Sequence, residues 1–160
     1  MNLILISKTM CHLHSQIECQ KALGMEDNGI SDGQIRASSS WDGNSVASRG
    51  RLSIKASGRM RGSWTASAKN SHQWLQIDLG TNDNIVTGVA TQGRQDTDQW
   101  VTSYKLQYGS DGLNFQYYKD QGEEKVSKNY FAFSKTSINI ESGKIGSGLE
   151  REILSYQTKS

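Results

Sequence analysis

The stretch that decides the fold is Trp74-Leu75-Gln76-Ile77-Asp78-Leu79-Gly80. Its leucines and isoleucine alternate strictly with a glutamine and an aspartate, so apolar and polar side chains fall on opposite sides of the backbone. This alternation predicts a β-strand with one buried face and one face that reaches water or a polar network.

Two further segments have strand character, at residues 85–91 and 101–108. The Gly-Ser-Asp-Gly sequence at 109–112 predicts a turn, because glycine tolerates positive φ and aspartate caps a turn locally. Apolar residues alternate again over 113–117, which completes a predicted hairpin. No segment with helical periodicity occurs before residue 125, and we therefore predict an all-β antiparallel sandwich.

Composition limits the chain to one domain, since 160 residues leave little room for a second. Hydrophobic residues make up 34% of the chain. This hydrophobic fraction is low for a globular domain, but it is higher than that of a disordered chain. The formal net charge of +2 is too small to indicate a partner. The apolar run at the start ends at Ser7, short of the roughly 7–15 residues of a signal-peptide core, so we expect no functional signal peptide.

The order of these segments resembles the discoidin domain, also called the coagulation factor V/VIII type C domain. The residues that carry the resemblance are Ala22-Leu23-Gly24-Met25-Glu26, Ile30-Ser31-Asp32-Gly33-Gln34-Ile35, Ala37-Ser38-Ser39-Ser40, the stretch 74–80, Ile85 to Arg94, and Trp100 to Tyr108. The resemblance implies a discoidin-type jelly-roll β-sandwich of the galactose-binding-like kind. We expect a partial discoidin domain over 19–124, an unstructured segment over 1–18, and a divergent tail over 125–160 that does not match the family.

In the family, the segment that corresponds to the tail supplies the closing strands and a Gly-Cys ending, whose cysteine bonds to one near the start. Nothing in 125–160 matches this, so we expect an incomplete, C-terminally truncated sandwich, from a truncated or mis-joined gene model rather than a splice variant. Cys19 stands where the family places its first disulfide cysteine, and the family's partner is absent. Cys11 is the other cysteine, and both a Cys11–Cys19 bond and two unpaired thiols stay open.

The sequence does not indicate catalysis or metal binding. It contains neither a Gly-x-Ser-x-Gly nucleophile elbow nor a glycine-rich phosphate loop of the Walker type. The cysteines and histidines near the start fit no standard zinc spacing. We predict that the protein is not an enzyme and has no catalytic residue, metal or cofactor. Nucleic-acid binding is not predicted either, because the aromatic residues do not interleave with lysine and arginine as base-stacking surfaces do.

The expected site is a set of loops at one pole of the sandwich, since rigid β-scaffolds display binding residues on loops and the family contacts its ligands there. The first predicted loop begins at Trp41 and the last at Arg94, with a less certain middle loop over 57–62. The predicted ligand-binding residues are Trp41, Asp42, Arg49, Arg59, Met60, Arg61, Arg94, Gln95 and Asp96.

Trp41 follows three serines and precedes Asp-Gly-Asn, a pattern that favours exposure on a turn. An exposed indole offers a large apolar face and an N–H donor. The equal alternative is that the indole folds back over the base of the loop. Arg59, Arg61 and Arg94 are predicted to surround it as a cationic ring suited to anionic groups, with ordinary solvated arginines as the alternative for each.

The resemblance implies a non-catalytic extracellular or cell-surface module for adhesion or for matrix and glycan recognition. Family members bind galactose-type sugars, phosphatidylserine membranes, collagen or growth factors. Ser40-Trp41 and Gly93-Arg94 are similar to loop residues of the family's collagen receptors, so we expect an extracellular protein, collagen-like or a receptor, or a glycan as partner. Because segment 94–99 is polar, we rank peripheral binding to anionic lipid membranes below binding to a protein or a glycan. A carbohydrate-binding accessory domain of an enzyme and a non-functional fragment are the further alternatives.

Overall fold

A computed structural model of the chain describes residues 2–10, 18–80, 86–109, 111–124, 126–128, 136–139 and 153–159. The described strands are β1 (Asn2–Met10), β2 (Glu18–Ala22), β3 (Ile35–Ala37), β4 (Trp74–Asp78), β5 (Val86–Gln92), β6 (Ser103–Gly109), β7 (Gln116–Tyr117), β8 (Lys119–Asp120), β9 (Glu123–Glu124), β10 (Val126–Lys128), β11 (Thr136–Asn139) and β12 (Ile153–Lys159). Two short 3₁₀ turns occur at Asp32–Gln34 and Ala47–Gly50. Within these described ranges no helix has the length and apolarity needed to cross a membrane.

The strands form two main sheets, and the paired strands of the described ranges are antiparallel. One sheet has the order β11-β5-β1-β2, and the other has the order β10-β6-β12-β4-β3, with β7 also paired to β6. Strands β8 and β9 form a separate hairpin. This architecture confirms the predicted all-β sandwich, and the β6–β7 pairing confirms the predicted hairpin.

The core consists of apolar side chains from both sheets and from the long connection between β3 and β4. Leu75 and Ile77 of β4 are completely buried, as the alternating pattern predicts, and they join the same cluster as Val89 of β5. Trp64 is also buried, and its indole N–H donates to the Ser39 carbonyl at 2.8 Å. Each such large apolar side chain stabilises the fold by roughly 1.5–3 kcal/mol.

The described residues of the segment 1–18, which the sequence analysis predicts to be unstructured, lie in strands. Residues Asn2–Met10 form β1, which lies between β5 and β2 and pairs with both. The run Leu-Ile-Leu-Ile at 3–6 is continuously apolar and so lacks the alternation by which the sequence predicts a half-buried strand. Cys19 lies in β2 opposite Thr9 of β1, while Cys11 falls outside the described residues.

The described parts of 125–160 contribute three strands, where the sequence analysis predicted a divergent tail and an incomplete sandwich. Strand β10 pairs with β6, and β11 pairs with β5. Strand β12 pairs with β4 on one edge and with β6 on the other, so it joins them. The sequence of β12 alternates leucine, tyrosine and threonine at every second position, which is a strand pattern that the analysis did not use.

Arg51 attaches the connection between β2 and β3 to the body of the domain. Its buried guanidinium donates to the carbonyls of Met25 at 3.4 Å and Ile30 at 2.7 Å, and to the Asp32 carboxylate at 2.6 Å. Arg51 therefore supplies donors to carbonyls of an irregular segment. The chain turns just after Arg51, with Ser53 at φ 57°.

We expect Arg51→Ala to lower the free energy of unfolding by about 2–4 kcal/mol, because buried carbonyls lose their donors and the packed side-chain stem is removed. Denaturant titration of the purified chain measures the change. Arg36→Ala is the matched control, since Arg36 is exposed on β3 and should change stability by less than about 0.5 kcal/mol. Equal effects of the two substitutions would contradict this role for Arg51.

Candidate binding site

One end of the sandwich collects several connections between strands. Strand β3 ends at Ala37, which lies opposite Leu75 near the start of β4. Gln157 of β12 lies opposite both Trp74, the first residue of β4, and Lys105, the third residue of β6, so β4 and β6 begin at the same end of the sheet. The chain that follows β3 and the chain that precedes β6 therefore reach the same pole.

Three segments at this pole are named here by their residues: loop A is 41–45, loop B is 54–62 and loop C is 94–99. Loop A follows β3, loop B lies within the long connection to β4, and loop C joins β5 to β6. They contain eight of the nine predicted ligand-binding residues, and Arg49 lies between loops A and B.

Loop A is a tight turn that projects the indole of Trp41 into solvent. The Trp41 side chain is 63% exposed, and its backbone N–H donates to the Thr65 carbonyl at 2.8 Å. The Asp42 carboxylate accepts the Asn44 N–H at 3.0 Å and the Ser45 hydroxyl at 2.8 Å. These bonds favour the exposed interpretation of Trp41 over the alternative in which it folds back.

The tip of loop B is a two-residue turn that contains Arg59. Ser57 and Met60 exchange both backbone hydrogen bonds at 3.0 Å, so Gly58 and Arg59 form the tip. Gly58 has φ +58° and Arg59 is not among the positive-φ residues, which is the φ pattern of a type II′ turn. Arg59 is exposed, and the described part of the chain shows no ion pair for it, while Met60 beside it is half-buried.

Arg49 closes the base of loop B. Its Nε donates to the Arg61 carbonyl at 2.6 Å, and its Nη2 donates to the Lys55 carbonyl at 2.5 Å. Burial lowers the pKa of Arg49, and the charge of Asp32 acts in the opposite direction. The structure thus places Arg49 underneath the loop as a clamp, whereas the sequence analysis predicted a ligand contact.

Loop C is organised by Arg94. The guanidinium binds both oxygens of Asp96, with Nε–Oδ1 at 2.8 Å and Nη2–Oδ2 at 2.6 Å, and Nη1 donates to Gln99 at 3.3 Å. The hydrogen bond to Asp96 is the largest influence that raises the pKa of Arg94, and the same bond lowers the pKa of Asp96. Only 12% of the Arg94 side chain is exposed. Gln95 is half-buried in the same loop.

Two of the three arginines that are predicted to form a cationic ring around Trp41 are paired with neighbouring carboxylates. Arg61 pairs with Asp42 at 2.6 Å, and Arg94 pairs with Asp96. The pKa of Asp42 is lowered, chiefly by the Ser45 hydroxyl and also by Arg61. Of the ring, Arg59 alone shows no carboxylate partner among the described residues.

The sequence analysis missed Gly62 and Gln99, which both contact the predicted residues. Gln99 binds the Arg94 guanidinium, and its carbonyl accepts the Arg94 N–H at 2.9 Å. The Gly62 N–H donates to the Asp96 carboxylate and contributes to its lowered pKa. No local motif signals either role, because each depends on where the loops fold. In the described ranges no three His, Cys, Asp or Glu side chains are grouped so as to hold a metal ion.

Residues 34–145 match the family model of the F5/8 type C domain, and this range contains loops A, B and C. The match begins and ends later than the predicted range 19–124. Lactadherin of Rattus norvegicus is 38% identical over 124 residues, which cover 72% of this chain and 27% of lactadherin. Retinoschisin of Takifugu rubripes is 40% identical over 118 residues, which cover 68% of this chain and 41% of retinoschisin.

Among solved structures, discoidin II from Dictyostelium discoideum superposes with a TM-score of 0.63. Its sequence identity is 24%, and the similarity covers 79% of this chain and 48% of that chain. At this identity the likeness shows the fold alone. The chain spans less than half the length of each of these relatives.

The Arg94–Asp96 pair predicts a pH-dependent stability. The folded pKa of Asp96 lies below its ordinary value of 3.8, so its ionised form stabilises the fold above that value, and the contribution is lost as pH falls through the lowered pKa. Asp96→Asn removes this titration at nearly constant size. From about pH 5 to about pH 3, the wild type should therefore lose more free energy of unfolding than Asp96→Asn.

Urea titrations at each pH measure these losses. Asp98→Asn, an exposed position in the same loop, is the control and should retain the wild-type profile. Parallel profiles for the wild type and Asp96→Asn would refute the contribution of the pair.

Proposed function

This chain belongs to the F5/8 type C domain family, and from that membership we propose that it is a non-catalytic binding module for cell adhesion. It recognises an extracellular protein, collagen-like or a receptor, or a glycan, through loops A, B and C. It acts outside the cell or at the cell surface. The activities of the longer relatives are not transferred to it.

The exposed indole of Trp41 is the observation that carries this proposal. Burying so large an apolar face on folding would stabilise the domain, yet loop A holds it outward through the bonds of Asp42. Tryptophan is among the residues most enriched at the energetic centres of interfaces, because it combines apolar area with an N–H donor. Trp41 therefore serves as the apolar anchor of the binding surface.

The electrostatics of the pole favour binding over catalysis. Asp42 and Asp96 have lowered pKa values, caused by the hydrogen bonds that they accept. A general acid or base works best with a pKa near the working pH, and these carboxylates are shifted away from it. Both are occupied by arginines of the same surface, where they maintain loop shape.

The same pairing supports a protein or glycan partner ahead of an anionic membrane. An arginine already bound to a carboxylate offers little to a lipid phosphate, and loop C presents polar side chains that would lose hydration in a bilayer. A protein or sugar surface can contact the Trp41 face and hydrogen-bond the polar rim at once. Arg59 adds one exposed cation to this surface.

The test is the binding of the purified chain to immobilised collagens, to a glycan array, and to vesicles with and without phosphatidylserine. We expect a collagen or glycan to bind, and Trp41→Ala to weaken that binding by roughly 10-fold or more, as for an interface hot spot. Leu113→Ala is the matched control, because Leu113 is 84% exposed but lies at the hairpin between β6 and β7, away from loops A, B and C.

Two outcomes would contradict the proposal. Phosphatidylserine-dependent vesicle binding that requires Trp41, without any collagen or glycan binding, would replace the partner by a membrane. Equal binding of Trp41→Ala, Arg59→Ala and the wild type would show that these loops are not the binding surface.

A further inference from the structure

We propose that the dipeptide Arg61–Gly62 is a junction that holds loops A, B and C in one fixed arrangement, with Gly62 as a positioning residue for binding. Gly62 is buried and reaches no ligand itself. The effect on affinity rests on the proposed function, whereas the fixed arrangement rests on the contacts alone.

Arg61 connects loop B to loop A and to the clamp beneath it. Its backbone N–H donates to the Asn44 carbonyl at 2.9 Å, and its guanidinium binds the Asp42 carboxylate at 2.6 Å. Its carbonyl accepts Nε of Arg49 at 2.6 Å. The backbone and the side chain of this one residue therefore fix loop A against loop B from several directions.

Gly62 connects loop B to loop C. Its N–H donates to the Asp96 carboxylate. A Cβ at this position would lie 2.9 Å from Oδ1 of Asp96, 3.2 Å from the Ala56 nitrogen and 3.3 Å from the Ile54 oxygen. Only the contact with Asp96 is below 3.0 Å, so a side chain at 62 must displace the Asp96 carboxylate, while the two backbone neighbours need to shift by only a few tenths of an ångström.

A shift of Asp96 is transmitted to Arg94, because the carboxylate binds the guanidinium through both oxygens. Loop A remains held by Arg61, and the charge of Asp42 contributes to the raised pKa of Arg94. A methyl group at Gly62 thus changes the spacing between Trp41 and loop C without removing any exposed side chain. A preorganised surface binds more tightly, since less freedom is lost on binding.

The test compares Gly62→Ala with Gly43→Ala in the full chain. Gly43 lies in loop A, has no atom within 4 Å of its ideal Cβ, and so accepts the same methyl group without contact. We expect hydrogen exchange of peptides covering 94–99 to accelerate in Gly62→Ala and to stay at the wild-type rate in Gly43→Ala. Exchange across β4 should be unchanged in both variants, which shows that the sandwich is intact.

Asp96→Ala removes the carboxylate that contacts Gly62, and so it breaks the contact between loops B and C without adding a methyl group at position 62. This variant replaces Gly62→Ala in the test if Gly62→Ala fails to fold. It should accelerate hydrogen exchange in loop C without affecting exchange in β4. For the collagen or glycan probe that binds the wild type, we expect Gly62→Ala to lower affinity by about 3- to 10-fold, the effect of restoring freedom to one or two ordered side chains. Leu113→Ala, which lies outside loops A, B and C, should bind as the wild type does.

The outcomes separate this inference from the proposed function. Faster exchange in loop C together with undiminished binding of Trp41→Ala would support the junction and overturn the function. Loss of binding in Trp41→Ala with unchanged loop C exchange in both Gly62→Ala and Asp96→Ala would do the reverse. Unchanged loop C exchange in those two variants overturns the junction in every case.

Discussion

Apolar faces of two antiparallel sheets pack against each other, and the remaining structure depends on that contact. Leu75 and Ile77 of β4 lie in one cluster with Val89 of β5 and with Trp64 from the long connection. This packing fixes where the strands end. The strand ends in turn set where loops A, B and C emerge, and a binding surface made of loops needs such a rigid base.

The sequence predicts those parts of the fold that depend on patterns among residues close together in the chain. The alternation in β4 and the Gly-Ser-Asp-Gly turn after β6 each involve neighbours within a few residues, so periodicity and turn chemistry are sufficient to find them. Strand β1 has a continuous apolar run, which periodicity does not distinguish from other structures. Strand β12 acquires its place only by pairing with β4 and β6, which lie far away in the sequence.

The candidate site likewise has features that the sequence predicts and features that it does not. A turn at Trp41 follows from its immediate neighbours, since serines on one side and Asp-Gly-Asn on the other favour one. Whether the indole points outward or folds back over the loop does not follow from them. The sequence does not predict the partners of the arginines, because Arg61 binds Asp42, and Arg49 binds two backbone carbonyls, only after the loops fold against each other. Counting arginines in the sequence therefore overestimates the positive charge that is available at this surface. Arg49 and Arg61, which were expected to contact a ligand, instead bind groups of the loops themselves.

The two-residue turn at the tip of loop B has a consequence for how readily proteases cleave the chain. An exposed arginine is the residue after which trypsin-like proteases cleave, and loop tips are the usual sites of nicking. A protease cleft accepts its substrate in an extended form, however, and the paired bonds between Ser57 and Met60 keep Arg59 in a bend. Cleavage must wait until this small hairpin opens, so the shape that displays the cation also shields the peptide bond that follows it.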